Sequence, residues 1–213
     1  MTTLQTKGDY QERILANVDN CLTETDLGQG EKYRGKVRDR YDLGDCLAMV
    51  TTDRQSAFDR VLAAIPFKGQ ALNLTSRWWF DKTKDIVANH VLEVPDPNVT
   101  MAKKCEVFPI EFVVRGYMTG SSGTSLWTVY NNGDREYCGH SLPEGMVKNQ
   151  PLDQIMMTPT TKEAHDRPIS EDGILNEGWM SEEDWRQAST IAMELFSYGQ
   201  RVAREHGLIL VDT

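Results

Sequence analysis

Four cations, Arg34, Lys36, Arg38 and Arg40, stand two residues apart in the run RGKVRDR. On a strand, period two puts Lys36, Arg38 and Arg40 on one face and Val37, Asp39 and Tyr41 on the other. Like charges at this spacing repel unless something anionic sits among them. Gly35 beside Lys36 would let the backbone approach a phosphate while the ammonium supplies point charge. A solvated charged strand would carry the same pattern. Glu111 and Arg115, in EFVVRGYM, form a second pair. Spaced by four on a strand, they share a face. The guanidinium fork suits a carboxylate or phosphate, and the acid suits Mg²⁺ or the orientation of that fork. A structural ion pair is the alternative. A third group, TDRQSAFD at 52–59, brings Arg54, Ser56 and Asp59 directly after a strand. Loops there often carry site residues, and locally bonded capped turns look alike. The fourth is TPTTK at 158–162 with His165 and Asp166: the histidine suits a proton carrier or a hydrogen-bonding fixture, and the aspartate a metal ligand or a solvated loop acid.

These groups need elements to hold them. Strands are expected at 31–41 and 46–52 around the turn Asp42-Leu43-Gly44-Asp45. Amphipathic periodicity marks helices at 9–22 and 72–89. Short strands follow at 91–94, ended by Pro95-Asp96-Pro97, and at 99–105 and 111–118. Gly120-Ser121-Ser122-Gly123 opens a helical stretch whose first N–H groups would seat a phosphate. Residues 136–172 read as mostly irregular. Ser181 caps the clearest helix, acidic in its first turn and stopped by Gly207, with Trp185, Ala188, Ile191, Leu195 and Phe196 on its buried stripe. The chain closes on GLILVDT, a buried-type strand.

Bulk properties exclude several classes. At 213 residues, 39% hydrophobic and 26% charged, the chain is of ordinary globular composition. A net charge of −9 disfavours a long polyanion such as nucleic acid, while leaving room for a small anion in a local basic pocket. Apolar runs are too short to span a bilayer, and the N-terminus lacks the makeup of a secretory or transit peptide. Cys21, Cys46, Cys105 and Cys138 are widely spaced and read as reduced, buried thiols in the cytoplasm.

GKVRD, TDRQSAFD, IPFKGQALN, PIEFVVRGYMTGS, TPTTK with HDRPIS, and GLILVDT stand in an order that resembles the SAICAR synthetases, nearest the longer plant and fungal form. The resemblance covers residues 32–213. It implies an α+β fold in which an N-terminal antiparallel-sheet domain, 1–105, packs on a larger mixed α/β domain, 106–213, with a kinase-like ATP cleft. It also implies a cytoplasmic carbon–nitrogen ligase of purine biosynthesis that joins L-aspartate to the carboxylate of CAIR, giving SAICAR, ADP and phosphate through an acyl phosphate. ATP and Mg²⁺ would be required, and a homo-oligomer is compatible with the resemblance. By the same resemblance Gly35, Lys36, Val37 and Arg38 cover the ATP phosphates, and Glu111 and Asp166 are metal-linked acids. Arg115 and Ser121 hold the CAIR nucleotide, Asp212 lies near the reacting carboxylate or amine, and Arg54, Ser56, Asp59 and Lys162 lie near the substrates.

After GLILVDT the family continues with further strands carrying nucleotide and metal contacts. The expectation is therefore of most of a synthetase, without measurable SAICAR formation at this length. A nucleotide-binding remnant or regulatory module without ligase turnover is the alternative.

Overall fold

Gly35 breaks the expected 31–41 strand in two. In the structure, a computed structural model describing residues 7–57 and 60–213, β1 (Glu31–Arg34) pairs with β2 (Arg38–Asp42), Arg34 opposite Asp39. The Gly35 N–H donates to the Arg38 carbonyl at 2.9 Å, leaving Lys36 and Val37 as a two-residue tip. A Cβ on residue 35 would stand 2.6 Å from that carbonyl oxygen, so the turn needs glycine. The expected turn at 42–45 forms, its Gly44 N–H donating to Asp42 Oδ1, and β3 (Cys46–Thr51) returns along β2. Along β2 the alternation holds: Arg38 and Arg40 are exposed, Asp39 and Tyr41 buried.

Two compact units divide the chain, Met1–Cys105 and Glu106–Thr213. In the first, α1 (Lys7–Leu15) precedes the meander, β4 (Arg54–Ala57) and β5 (Arg60–Ala64) form their own hairpin, and α2 (Lys68–Thr83) leads to β6 (Val91–Asp96) and β7 (Val99–Lys103). The main sheet is antiparallel, in the order β1-β2-β3-β7-β6. Tyr41, Ala48 and Val50 form its core with Leu22, Leu43, Val99 and Met101. Several boundaries differ from expectation. The 9–22 helix ends at Leu15, a 3-10 turn follows at Val18–Asn20, and Ile14, Leu15 and Val18 are exposed. Helix α2 starts four residues before the expected 72 because Gly69 lets its first turn close on β3. A Cβ at 69 would lie 2.3 Å from the Thr51 carbonyl oxygen. Strand β6 runs through Pro95, tolerable because it is the sheet's edge strand.

The second unit mixes helices with short antiparallel pairs, in keeping with an α+β fold. The apolar run at 111–118 is not one strand. It divides into β8 (Ile110–Glu111) and β9 (Val114–Tyr117), so Glu111 and Arg115 sit on different strands. Helix α3 (Leu126–Asn131), the small hairpin β10 (Glu136–Tyr137) and β11 (His140–Ser141), then β12 (Pro151–Met157) and β13 (Thr160–Thr161) follow. Strand β12 pairs with β9 and β13 with β8, so the segment expected to be irregular supplies both partners. Helices α4 (Glu171–Asn176) and α5 (Glu182–Glu205) complete the unit. Ser181 caps α5 by accepting from the Asp184 N–H at 3.1 Å, and Trp185 and Phe196 are buried on its stripe. The last residues run beside β9, with Val114 and Thr213 exchanging backbone bonds of 2.7 and 3.0 Å. Leu208 and Ile209, in the run that reads as a buried-type strand, are exposed, as a strand edge left without its neighbour would be. Among the described residues no helix is long and apolar enough to cross a membrane.

Candidate functional site

The tip at 35–38 is shaped from beneath by Arg54. That side chain is 2% exposed. Its Nε donates to the Lys36 carbonyl at 3.1 Å, and Nη2 reaches the Gly35 carbonyl at 3.0 Å and Asp39 Oδ1 at 2.5 Å. Nη1 donates to the Thr23 carbonyl. Thr52 adds its N–H and hydroxyl to the Val37 carbonyl. Every arginine nitrogen is thus committed to the chain, and the substrate contact expected of Arg54 gives way to a structural role. Asp53 is likewise structural, accepting from the N–H groups of Leu22 and Gly69. Burial alone would push the Asp39 carboxyl up. The hydrogen bonds from Arg54 and Thr25, with the charges of Arg54 and Lys32, outweigh burial and hold it below the usual carboxylate range.

With its carbonyls held from below, the tip keeps Lys36 exposed. Val37 and Arg38 line a cavity of about 250 Å³ against α2, together with Thr51, Asn73, Thr100 and His90. That is somewhat below the range of about 300–1,000 Å³ usual for whole small-molecule ligands, and is room for part of a nucleotide. Sequence reasoning gave His90 no role. Its ring lies edge-on to Phe80 at 5.1 Å, and burial, then the Arg38 charge, holds it below its ordinary pKa. Ser56 is half-buried on β4, and Asp59 lies outside the described residues.

In the second unit, Arg115 on β9 donates from Nε to Thr158 Oγ1 at 2.9 Å, and its Nη1 lies 3.5 Å from Asp212 Oδ2. The arginine side chain is 12% exposed and the aspartate 49%. Asp212 is brought there by an antiparallel bridge between the two residues. Nearby, burial raises the Tyr137 phenol against the opposing effect of Arg115. Burial also pushes the Cys138 thiol up to about 11, which leaves it protonated and unreactive at neutral pH. All four cysteines are free, but Cys105 is exposed and the others only partly buried.

Four residues beyond Thr158, Lys162 Nζ sits 2.8 Å from Glu111 Oε2 and 3.3 Å from Asp166 Oδ2. Glu111, at the end of β8, is a half-exposed acid and not a buried one. Its hydrogen bond lifts the Lys162 ammonium above the usual lysine range, opposed by burial and aided by Asp166. Two carboxylates converging on one cation suit Mg²⁺, which takes one or two carboxylates and completes its shell with phosphate oxygens and water. Among the described residues no cluster of three or more acids, histidines or cysteines could hold a metal. Ser121 is exposed, and the helix expected beside it starts only at Leu126, capped by Ser125. The 120–123 turn is thus no helix N-terminus. His165 is exposed.

The sequence profile of the family described as SAICAR synthetase matches residues 31–213. A phosphoribosylaminoimidazole-succinocarboxamide synthase of Legionella pneumophila (strain Paris) is 65% identical over 194 residues, covering 91% of this chain and 62% of that protein. The chain thus spans about three fifths of the length of that curated relative. A Saccharomyces cerevisiae SAICAR synthase solved with SAICAR superposes with a TM-score of 0.78 at 29% identity, covering 90% of this chain and 70% of the other. A SAICAR synthetase solved with ADP shares the fold, with a TM-score of 0.68 at 21% identity over 85% of this chain and 72% of the other. On the extent of the profile match and the identity of these relatives, the chain belongs to the SAICAR synthetase family.

Proposed function

We propose that this chain works in an ATP-dependent ligase of purine biosynthesis that joins L-aspartate to the carboxylate of CAIR, giving SAICAR, ADP and phosphate. Family membership supports the reaction class, and the ligands SAICAR and ADP in solved relatives support the substrates. The single observation that carries the reading lies in the second unit. Segment 158–162 has at one end an arginine whose acidic partner is loosely held and half-exposed, and at the other a lysine between two acids.

An unactivated carboxylate is a poor acyl donor because oxide is a poor leaving group. A CAIR carboxylate oxygen attacks the γ-phosphorus of ATP, ADP departs, and an acyl phosphate results. The aspartate amine then attacks the acyl carbon, phosphate leaves, and the nitrogen loses a proton. The chain's part is positioning and charge neutralisation. Lys36 and Arg38 face the phosphates at the tip. Arg115 orients an oxyanion of CAIR, and Asp212 lies where a cationic amine would be steadied. Ser121 and Lys162 are further contacts to the nucleotide substrate. Glu111 and Asp166 would hold Mg²⁺, which when bound neutralises phosphate charge.

The test is ADP release dependent on both CAIR and L-aspartate, measured on the full-length gene product and on Arg115→Lys. A large loss of kcat/KM for CAIR in the variant is expected, because lysine keeps the charge and loses the fork. Unchanged kcat/KM would remove Arg115 from the site. ADP release indifferent to CAIR and aspartate would reject the ligase.

A further inference from the structure

The pattern TPTTK has a consequence outside its charged member. From 158 to 162 the chain is extended: Thr158 N–H donates to the Val113 carbonyl at 2.7 Å, and Thr160 and Thr161 pair with Glu111 and Ile110. Alternate residues therefore face the same way. The even members meet the charged groups of the site. Thr158 Oγ1 accepts from Arg115 Nε, Thr160 Oγ1 donates to Glu111 Oε2 at 3.3 Å, and Lys162 lies on Glu111 and Asp166. The odd member Thr161 faces elsewhere, its hydroxyl donating to Glu163 and accepting from the Arg167 N–H.

We propose that Thr158 is the positioning residue that aims the Arg115 guanidinium, through a hydrogen-bond relay running from Arg115 Nε to the Thr158 hydroxyl to the Val113 carbonyl. The relay is directional. The Thr158 hydroxyl donates to the Val113 carbonyl at 3.2 Å, which turns an oxygen lone pair toward the arginine. Thr158 is fully buried, so no water competes for that lone pair. A hydrogen bond to a charged donor in a dry setting is among the stronger kinds. With Nε committed to Thr158, an incoming carboxylate or phosphate meets the Nη edge of the fork, where Nη1 lies 3.5 Å from Asp212 Oδ2 and the guanidinium also bonds the Tyr137 phenol. Thr158 thus selects which edge of Arg115 a substrate oxyanion engages.

This inference rests on the assignment of Arg115 to the substrate, and its test separates the two. Three variants, Thr158→Val, Thr158→Ser and Thr161→Val, are compared in the full-length gene product with Arg115→Lys. Valine matches the shape of threonine and removes only the hydroxyl, and the Val113 carbonyl keeps its bond from the Thr158 N–H. Thr158→Val is expected to raise KM for CAIR about tenfold, the scale of one hydrogen bond to a charged group. KM for ATP should be unchanged. Serine should recover KM to within about threefold, since it keeps the hydroxyl. Thr161→Val should leave KM for CAIR unchanged. A second readout needs no turnover: in arginine side-chain NMR, the Arg115 Nε–H should shift and exchange faster with water in Thr158→Val. An unmoved Arg115 resonance in Thr158→Val overturns the relay. So does a KM for CAIR that rises equally in Thr161→Val, which would indicate general loosening of the segment. If Arg115→Lys leaves kcat/KM intact while the resonance moves as expected, the relay stands and the substrate assignment of Arg115 falls.

Discussion

Each unit holds an arginine paired with an aspartate, and the two pairs differ in every physical respect. Arg54–Asp39 is sealed: 2% and 0% exposed, in contact at 2.5 Å, with each arginine nitrogen also engaged by a backbone carbonyl or by Asp39 itself. Arg115–Asp212 is open: 12% and 49% exposed, with a single long approach of 3.5 Å. Burying a charge demands that its whole hydrogen-bonding capacity be met, so a sealed arginine becomes part of the scaffold. An arginine that is mostly but not wholly buried, held firmly at one nitrogen and loosely matched at another, keeps capacity for a ligand. Charge and residue type alone do not tell these two apart.

The comparison breaks first at Arg54. Removing the cation leaves Asp39 charged and buried, so Arg54→Met should cost about 3–5 kcal/mol of stability, read from urea unfolding. If Arg54→Met unfolds no more easily than Arg115→Lys, the division into scaffold and site pairs is wrong. Next comes Arg115→Lys, expected to lose about 10²-fold or more in kcat/KM for CAIR, on the scale of removing one charge-stabilising donor. Its unfolding free energy, from the same urea curves, should change by less than about 1 kcal/mol, as for a partly exposed ion pair. Gly35→Ala tests the tip that Arg54 supports. The added Cβ must displace the Arg38 carbonyl, so a loss of about 1–3 kcal/mol is expected, together with weaker ADP binding by calorimetry.

Acid sharpens the contrast with a smaller effect. The Asp39 carboxyl sits below its ordinary value of 3.8 in the folded chain, so the folded state holds fewer protons there than the unfolded one. Its contribution is complete above the unfolded value and fades as pH falls through the folded one. Urea midpoints measured downward from pH 7 should therefore drop in the acid range, and Asp39→Asn should flatten that part of the curve. The smallest expected change is Lys162→Met. All three partners are about half-exposed, so stability should shift by less than about 1 kcal/mol, read from the same urea midpoints.

Much of this was legible one residue at a time. Ser181 with its acidic first turn announced α5, Asp42-Leu43-Gly44-Asp45 announced its hairpin, and β2 kept its alternation because one face of that strand meets the core. Other readings failed where a local pattern had two meanings. The run at 111–118 is apolar enough for one strand, yet its two ends pair with different partners and the chain breaks at Phe112 and Val113. Strand β12 escaped notice because a leading proline and scattered polar residues disguise an element whose pairing is supplied from β9. His90 carried no motif at all and faces the cavity only through the packing of α2 on the sheet.

By itself the sequence determined the kinds of groups available and their family: cations around a glycine, an arginine and acids in ordered motifs, and the spacing of TPTTK. Those follow from covalent order and from the periods of strand and helix, which act over a few residues. Which arginine is sealed and which stays open, and which threonine meets Arg115, was decided by tertiary structure. Burial and hydrogen-bond saturation depend on partners far apart in the chain, as Arg54 with Thr23 and Arg115 with Thr158 and Asp212 show.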